Sequence, residues 1–340
     1  MRARLAKPDV KRFTYCVKRF PSSVSGTLLT VPEVQVTPVL DCHQHLWPEA
    51  FVEQLRRRRT PPRLEGWTLH LAGEPPYDVD PADHDLTRRR VLDVADGVDL
   101  ALLSLSSPLG VESMPPGEAV PLMAAWHSLA DDLETKGVEG YGIWAAAGLV
   151  EPDLVGLAAT LRHPRVHGLQ VPATAMADPA ALELLAPVLA VVEGSGMPVL
   201  VHPGPAVATG AGPLPGWWPA LTSYTAQLTA AWFAWHTVGR RLLPQLRIAF
   251  VGLAGLAPLH HERLAQRGGH LGPIDRFVFY ETSSYGTRAI DAMTRVVGVD
   301  PLVHGSDRPY ALPTDPGLGG AFGNALFVAN PAHLMNGVPR

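Results

Sequence analysis

The stretch Leu40-Asp41-Cys42-His43-Gln44-His45 closes the first apolar run of the chain, and its reading decides the fold. Side chains alternate across a strand, so Asp41, His43 and His45 are expected on one face and Cys42 and Gln44 on the other. Two imidazoles on one face can reach a single cation. A lone His-x-His is weak evidence, because histidines also serve as hydrogen-bonded core or surface residues. The pair gains meaning from two later runs: His202 ends Pro198-Val199-Leu200-Val201, and Asp307 ends Leu302-Val303-His304-Gly305-Ser306. Three strand ends would then bring three imidazoles and a carboxylate together. That donor set suits one divalent metal, zinc first, with manganese or iron also compatible; it holds too few carboxylates for a calcium or magnesium cage. The competing reading makes Asp307 a helix cap and His202 a core residue.

Outward from this stretch, short apolar runs alternate with longer helical patterns, the rhythm of successive β-α units. The expected strands are Thr37–Cys42, Val98–Leu105, Tyr141–Ala147, Val166–Val171, Pro198–His202, Arg247–Gly252, Arg276–Glu281 and Leu302–Asp307. The expected helices are Pro81–Asp96, Pro121–Lys136, Leu154–Arg162, Pro179–Glu193, Ser223–Leu243, Leu256–Arg267, Tyr285–Val297 and Gly320–Asn330. Eight of each predict a closed (β/α)8 TIM barrel, an α/β fold. The segments Leu46–Val79 and Gly204–Leu221 exceed ordinary loop length, and both follow strand C-termini, where barrel enzymes build pockets and lids.

The 340 residues, 46% of them hydrophobic, suffice for one large barrel. With 28 basic and 32 acidic side chains, the net charge of −4 gives no field that would select nucleic acid or an anionic membrane, so a small-molecule partner is expected. No apolar run approaches the length of a membrane span. The two cysteines, Cys16 and Cys42, have no paired spacing, which fits a reducing cytoplasm. Residues 1–35 read differently. Arg2, Arg4, Lys7, Lys11, Arg12, Lys18 and Arg19 crowd the first 19 of them, without the apolar core of a secretory signal. They are expected to be an irregular N-terminal extension, with a single catalytic domain over 36–340.

The motifs resemble the amidohydrolase-related branch of the amidohydrolase superfamily, which includes aminocarboxymuconate-semialdehyde decarboxylase, other nonoxidative decarboxylases of small aromatic acids, and several lactone or amide hydrolases. The matching pieces are Asp41-Cys42-His43-Gln44-His45, Val201-His202-Pro203-Gly204-Pro205 and Gly305-Ser306-Asp307-Arg308-Pro309. Ser104-Leu105-Ser106-Ser107-Pro108 and Thr282-Ser283-Ser284-Tyr285-Gly286 add shorter likenesses. The resemblance implies that His43, His45, His202 and Asp307 are metal ligands, that Asp307 also moves a proton, and that the protein is a homodimer. The fourth strand carries Gln170 where other superfamily members carry a metal-bridging carbamylated lysine, so one metal is expected. The chain departs from the branch in its sixth strand, where Gly252 stands in place of a helper histidine. His260, His261 and Glu281 are the nearest substitutes in sequence.

Arg56 to Arg59 and Arg63 lie in the first long loop, where related decarboxylases place a carboxylate-binding arginine; Arg57 is the candidate taken from this run. Trp47, Trp217, Trp218 and Tyr224 are candidates to line a flat substrate pocket. The first expectation for function is a hydrolase whose metal activates water against an amide, ester or lactone carbonyl of a small cyclic or aromatic substrate. Nonoxidative decarboxylation of a small aromatic or unsaturated acid is the second. A metal- or ligand-binding pseudoenzyme, suggested by Gly252, is the third.

Overall fold

Strands rich in valine and leucine, buried on both faces, leave a parallel sheet no exposed edge once it closes on itself. The computed structural model describes residues 37–72, 74–206 and 214–337, and in them the chain forms a (β/α)8 barrel. The N-terminal extension expected over 1–35 lies outside the described residues. The eleven strands in chain order are β1 (Leu40–His45), β2 (Arg63–Glu65), β3 (Thr68–His70), β4 (Tyr77–Asp78), β5 (Leu100–Ser104), β6 (Tyr141–Ala145), β7 (Val166–Pro172), β8 (Val199–His202), β9 (Ile248–Phe250), β10 (Val278–Glu281) and β11 (Leu302–Val303). The barrel order is β1-β5-β6-β7-β8-β9-β10-β11, every ladder parallel.

Backbone hydrogen bonds between β1 and the segment after β11 close the ring. Cys42 N donates to His304 O (2.9 Å), Asp307 N to His43 O (2.9 Å) and His45 N to Arg308 O (2.7 Å). This double pairing carries β1 through the histidine motif, so the strand runs to His45 rather than stopping at Cys42 as the sequence predicts. Leu302–Asp307 does the reverse and keeps strand pairing only at Leu302–Val303. Gly305 is squeezed against Glu281, where a Cβ would stand 2.1 Å from Oε1, and Asp307 has φ 56°, so the chain turns there.

The helices α1 (Glu49–Arg57), α2 (Leu86–Ala95), α3 (Pro116–Thr135), α4 (Leu154–Thr160), α5 (Pro179–Gly194) and α6 (Trp218–Ala234) follow the early strands. Aspartates start several of them: Asp85, Asp153 and Asp178 accept from the backbone N–H three residues on, which satisfies a free helix donor. Asp85 also divides the expected helix Pro81–Asp96, ending a 3-10 turn (Pro81–His84) before it caps α2. The helix expected at Ser223–Leu243 starts earlier, at Trp218, and passes through a π turn at Trp235–Gly239. That expected at Leu256–Arg267 is reduced to His261–Ala265 by a preceding irregular turn, and the last helical region extends to Asn336. The first long loop is built rather than irregular: it contains α1 and an antiparallel sheet, β2-β3-β4. Among the described residues, no helix is long and apolar enough to cross a membrane.

Candidate metal centre

β1 delivers His43 and His45, β8 ends on His202, and the turn after β11 delivers Asp307. One ligand atom from each of the four residues lies within 4.8 Å of the others. The two Nε2 atoms of His43 and His45 are 3.0 Å apart, and Asp307 Oδ1 is 3.2 Å from His45 Nε2 and 3.8 Å from His43 Nε2. The outer nitrogens fix the tautomers. His45 Nδ1 lies 2.9 Å from Ser104 O and His202 Nδ1 lies 2.9 Å from Pro203 O; a carbonyl only accepts, so both Nδ1 atoms carry the proton. Each Nε2 is left with a lone pair facing the cluster. Glu281 stands behind His43, its Oε2 3.5 Å from Nδ1, without a hydrogen bond between them. Lone pairs converging from imidazoles, two of them anchored by carbonyls, beside one carboxylate, fit a divalent cation.

Electrostatics agrees with that assignment. Burial pushes the pKa of His45 down, against the pull of the nearby Asp307 carboxylate, and burial together with the charges of His43 and His45 pushes His202 well down. Both rings therefore favour the neutral, ligating form. His43 is the exception: burial again lowers its pKa, but Glu281, Asp307 and Asp41 together raise it above the ordinary value. Burial works against the charge of Asp307, yet the surrounding side chains of His45, His43 and His202 hold its pKa below the usual range.

Asp41 does not join the donors. The register between β1 and β5 shifts between Asp41 and Gln44, which breaks the alternation expected from the sequence. Its Oδ1 accepts from His43 N (3.1 Å) and Ser306 N (3.0 Å), and its Oδ2 accepts from Gln44 Nε2 (2.8 Å). Asp41 thus ties β1 to the turn that carries Asp307. A clamp reinforces the tie: Arg308 donates to buried Asp93 (2.8 Å) and exposed Asp96 (2.5 Å), while Arg89 donates to His45 O (2.6 Å) and to Gln44 Oε1. Gln170 hydrogen-bonds Leu105 O (2.5 Å) and Ser107 Oγ (2.6 Å), outside the donor cluster.

The cluster forms the floor of a cavity of about 510 Å³. Its walls are mostly apolar, with Leu69, Leu71, Leu109 and Leu228 among the lining residues. Trp47 and Tyr224 line it as expected; Trp47 is buried, stacked on His84 at 4.5 Å, and donates to Ser106 Oγ (3.2 Å). Trp217 is not part of the lining. It stands 57% exposed at the start of α6, against Trp218, because the turn before the helix points both indoles outward. Arg57 also misses the cavity. It sits exposed in the last turn of α1, whose buried face is Phe51, Val52 and Leu55. Its neighbours are engaged elsewhere: Arg56 with Glu53 and the Trp67 ring, Arg58 with Glu118, Arg63 with Glu65. Among the described residues, no lysine or arginine lines the cavity.

Gly252 lines the cavity without offering a side chain, and the backbone explains its identity. From Gly252 to Leu256 five consecutive residues have positive φ, between 52° and 63°. Such a left-handed turn is disfavoured for residues with a Cβ, by roughly 1–2 kcal/mol each, and Gly252 and Gly255 relieve two of the five. Gly252 N also donates to Glu281 Oε2 (3.1 Å). The turn thus supports the carboxylate that stands behind His43. His260 and His261 follow it, exposed and away from the cavity lining.

Comparison with protein-family models gives no match, and comparison with curated proteins gives none. Solved structures do match. The chain is similar to IDCase of Metarhizium anisopliae, with a TM-score of 0.73 and 17% identity over 88% of this chain and 97% of that one. It is similar to the 5-carboxyvanillate decarboxylase LigW of Sphingomonas paucimobilis, with a TM-score of 0.66 and 18% identity over 88% and 99% of the two chains. A third is the 5-carboxyvanillate decarboxylase of Novosphingobium aromaticivorans complexed with manganese and 4-hydroxy-3-methoxy-5-nitrobenzoic acid, with a TM-score of 0.66 and 16% identity over 89% and 97%. The chain has their fold.

Three cavity residues escape the sequence reading: Glu74, Tyr77 and Tyr310. Glu74 and Tyr77 belong to the β3–β4 connection and β4, elements too short for a periodic signal. Tyr310 packs on the His45 ring, with centroids 5.2 Å apart. Its place three residues after Asp307 is the one signal that could have found it.

Proposed function

We propose that this chain is an amidohydrolase-superfamily enzyme that uses one divalent cation to decarboxylate a small aromatic acid without oxidation. The observation that carries the reading is a four-donor floor beneath an apolar cavity, in a fold shared with the decarboxylases named above. His43, His45, His202 and Asp307 would hold the cation. When bound, it supplies a positive charge that anchors the substrate's oxygens at the cavity floor.

The chain's own residues account for the rest. Leu69, Leu71, Leu109 and Leu228 exclude water, which favours a departing neutral carbon dioxide over a solvated carboxylate. Trp47 shapes the wall beside the donors. In the step itself, the bond between ring carbon and carboxyl carbon breaks, its electron pair stays on the ring, and a proton replaces the lost group. Asp307 is the carboxylate of the floor that can hold that proton and pass it to the ring carbon. A cation-anchored substrate needs no separate arginine, which agrees with the lining. Hydrolysis of an amide, ester or lactone draws no support from these three neighbours and takes second place. The reported manganese complex supports manganese alongside zinc as the cation.

The test is metal analysis of the purified protein, followed by carbon dioxide release from hydroxybenzoic acids and, in parallel, turnover of lactones and amides. The proposal expects close to one equivalent of metal per chain and carbon dioxide release that Asp307→Asn abolishes. Lactone or amide turnover without carbon dioxide release would return hydrolysis to first place. Stable protein that binds neither metal nor acid would leave a scaffold.

A further inference from the structure

The wall of the cavity carries a polar arrangement that removal of a carboxylate does not require. Glu74, between β3 and β4, reaches α6, where the Tyr224 hydroxyl donates to its Oε1 at 2.5 Å. Tyr77 lines the same cavity, as does Tyr310, which itself packs on His45. Glu74 is the one charged side chain of the described lining outside the donor cluster. It has no cationic partner there. Partial burial raises its pKa, against the hydrogen bond from Tyr224.

We propose that Glu74, oriented by the Tyr224 hydroxyl, forms the recognition subsite for a hydrogen-bond donor, an amine or hydroxyl, on the part of the substrate away from the metal floor. The inference rests on the decarboxylase reading and narrows its substrate to aromatic acids bearing such a donor and no second carboxylate. The chemistry follows from the lining. An amine or hydroxyl reaching Glu74 gains a hydrogen bond to a carboxylate, which is stronger than one to a neutral acceptor. A second carboxylate at the same place would meet a like charge and find no lysine or arginine to neutralise it. A methyl group would leave Glu74 desolvated without a new partner. The alternative role for Glu74 is to pin Tyr224 and so hold α6 against the first loop, which would affect all ligands alike.

The test is calorimetric binding to metal-loaded protein of a 2-hydroxybenzoic acid series carrying hydrogen, methyl, amino, hydroxyl or carboxylate at each free ring position. At one position, the amino or hydroxyl compound is expected to bind about tenfold tighter than its methyl counterpart, and the carboxylate compound is expected to be the weakest. Glu74→Gln should shrink the amino-to-methyl ratio to within about threefold and improve the carboxylate compound, while unsubstituted 2-hydroxybenzoate changes little. Tyr224→Phe, which leaves the carboxylate in place, should keep the order of the series. Equal weakening of every ligand by Glu74→Gln, or tightest binding by the dicarboxylate, would overturn the inference. If no member of the series binds loaded wild-type protein, the decarboxylase reading falls and takes the inference with it. If the parent acid binds and releases carbon dioxide but the series is flat, the inference alone falls.

Discussion

Glu281→Gln is the substitution that separates the support of the centre from its ligands. The Glu281 side chain is fully buried and both oxygens are engaged: Oε1 accepts from Ser283 N (2.6 Å), and Oε2 accepts from Gly252 N (3.1 Å) and Ser283 Oγ (2.8 Å) while facing His43 Nδ1 (3.5 Å). Glutamine has one acceptor oxygen where the carboxylate has two. In either orientation its amide nitrogen therefore meets a backbone N–H, that of Ser283 or that of Gly252. One buried donor loses its partner, at about 1–3 kcal/mol. His43 loses the negative charge behind its ring, and removing such an outer partner of a ligating imidazole weakens metal binding by about 10- to 100-fold. That corresponds to about 1.4 to 2.7 kcal/mol. Competition with a chromophoric chelator measures the affinity, and calorimetric melting of the metal-free protein measures the stability. The expected result is a loss in both. Metal affinity within twofold of wild type, in a variant whose melting temperature has dropped, would show that Glu281 braces the barrel without acting on His43.

Three further outcomes follow from the geometry. The His43→Ala, His45→Ala double variant should bind less than about a tenth of a metal per chain yet keep the circular dichroism of the barrel; full metal content would remove both histidines from the ligand set. Gly255→Ala should melt well below Gly252→Ala, because its Cβ would stand 2.5 Å from the Thr225 carbonyl, whereas that of Gly252 has 3.8 Å to its nearest neighbours and adds only left-handed strain of about 1–2 kcal/mol. Equal melting temperatures would contradict the described turn. The third concerns Glu112, which is buried, and whose pKa is pushed from 4.5 up to about 7 by desolvation, against a hydrogen bond from Ser107. The unfolded chain releases this proton near its ordinary pKa while the fold retains it, so stability falls as pH rises through that window, by at most about 3 kcal/mol. Glu112→Gln cannot ionise. It should melt with a smaller decline between pH 5 and pH 8 than wild type, and an identical decline would place the ionisation elsewhere.

The barrel strands were legible because each is an apolar run buried on both faces, and such runs announce themselves without any partner being known. The donor cluster was legible for a related reason: His202 and Asp307 follow apolar runs directly, so their place in sequence gives their place on the barrel rim. Asp41 was misplaced because alternation assumes a regular strand, and the shift between Asp41 and Gln44 is set by pairing on both sides of β1. Arg57 and Trp217 were misplaced because loop residues take their direction from packing. The short helix α1 buries Phe51, Val52 and Leu55 and thereby turns Arg57 outward. Glu74 and Tyr224 lie far apart in sequence, and only the fold of the first long loop against α6 brings them to one hydrogen bond.

The seam between β1 and the turn after β11 has a consequence for how the protein matures. His43 lends its carbonyl to the backbone of Asp307, so the earliest and the last of the four donors are joined by the same contacts that close the ring. A nascent chain therefore presents two histidines early, a third midway, and no finished centre until its final strand arrives. The centre is thus complete only in a chain whose ends have met, and loss of the closing contacts would part Asp307 from His43.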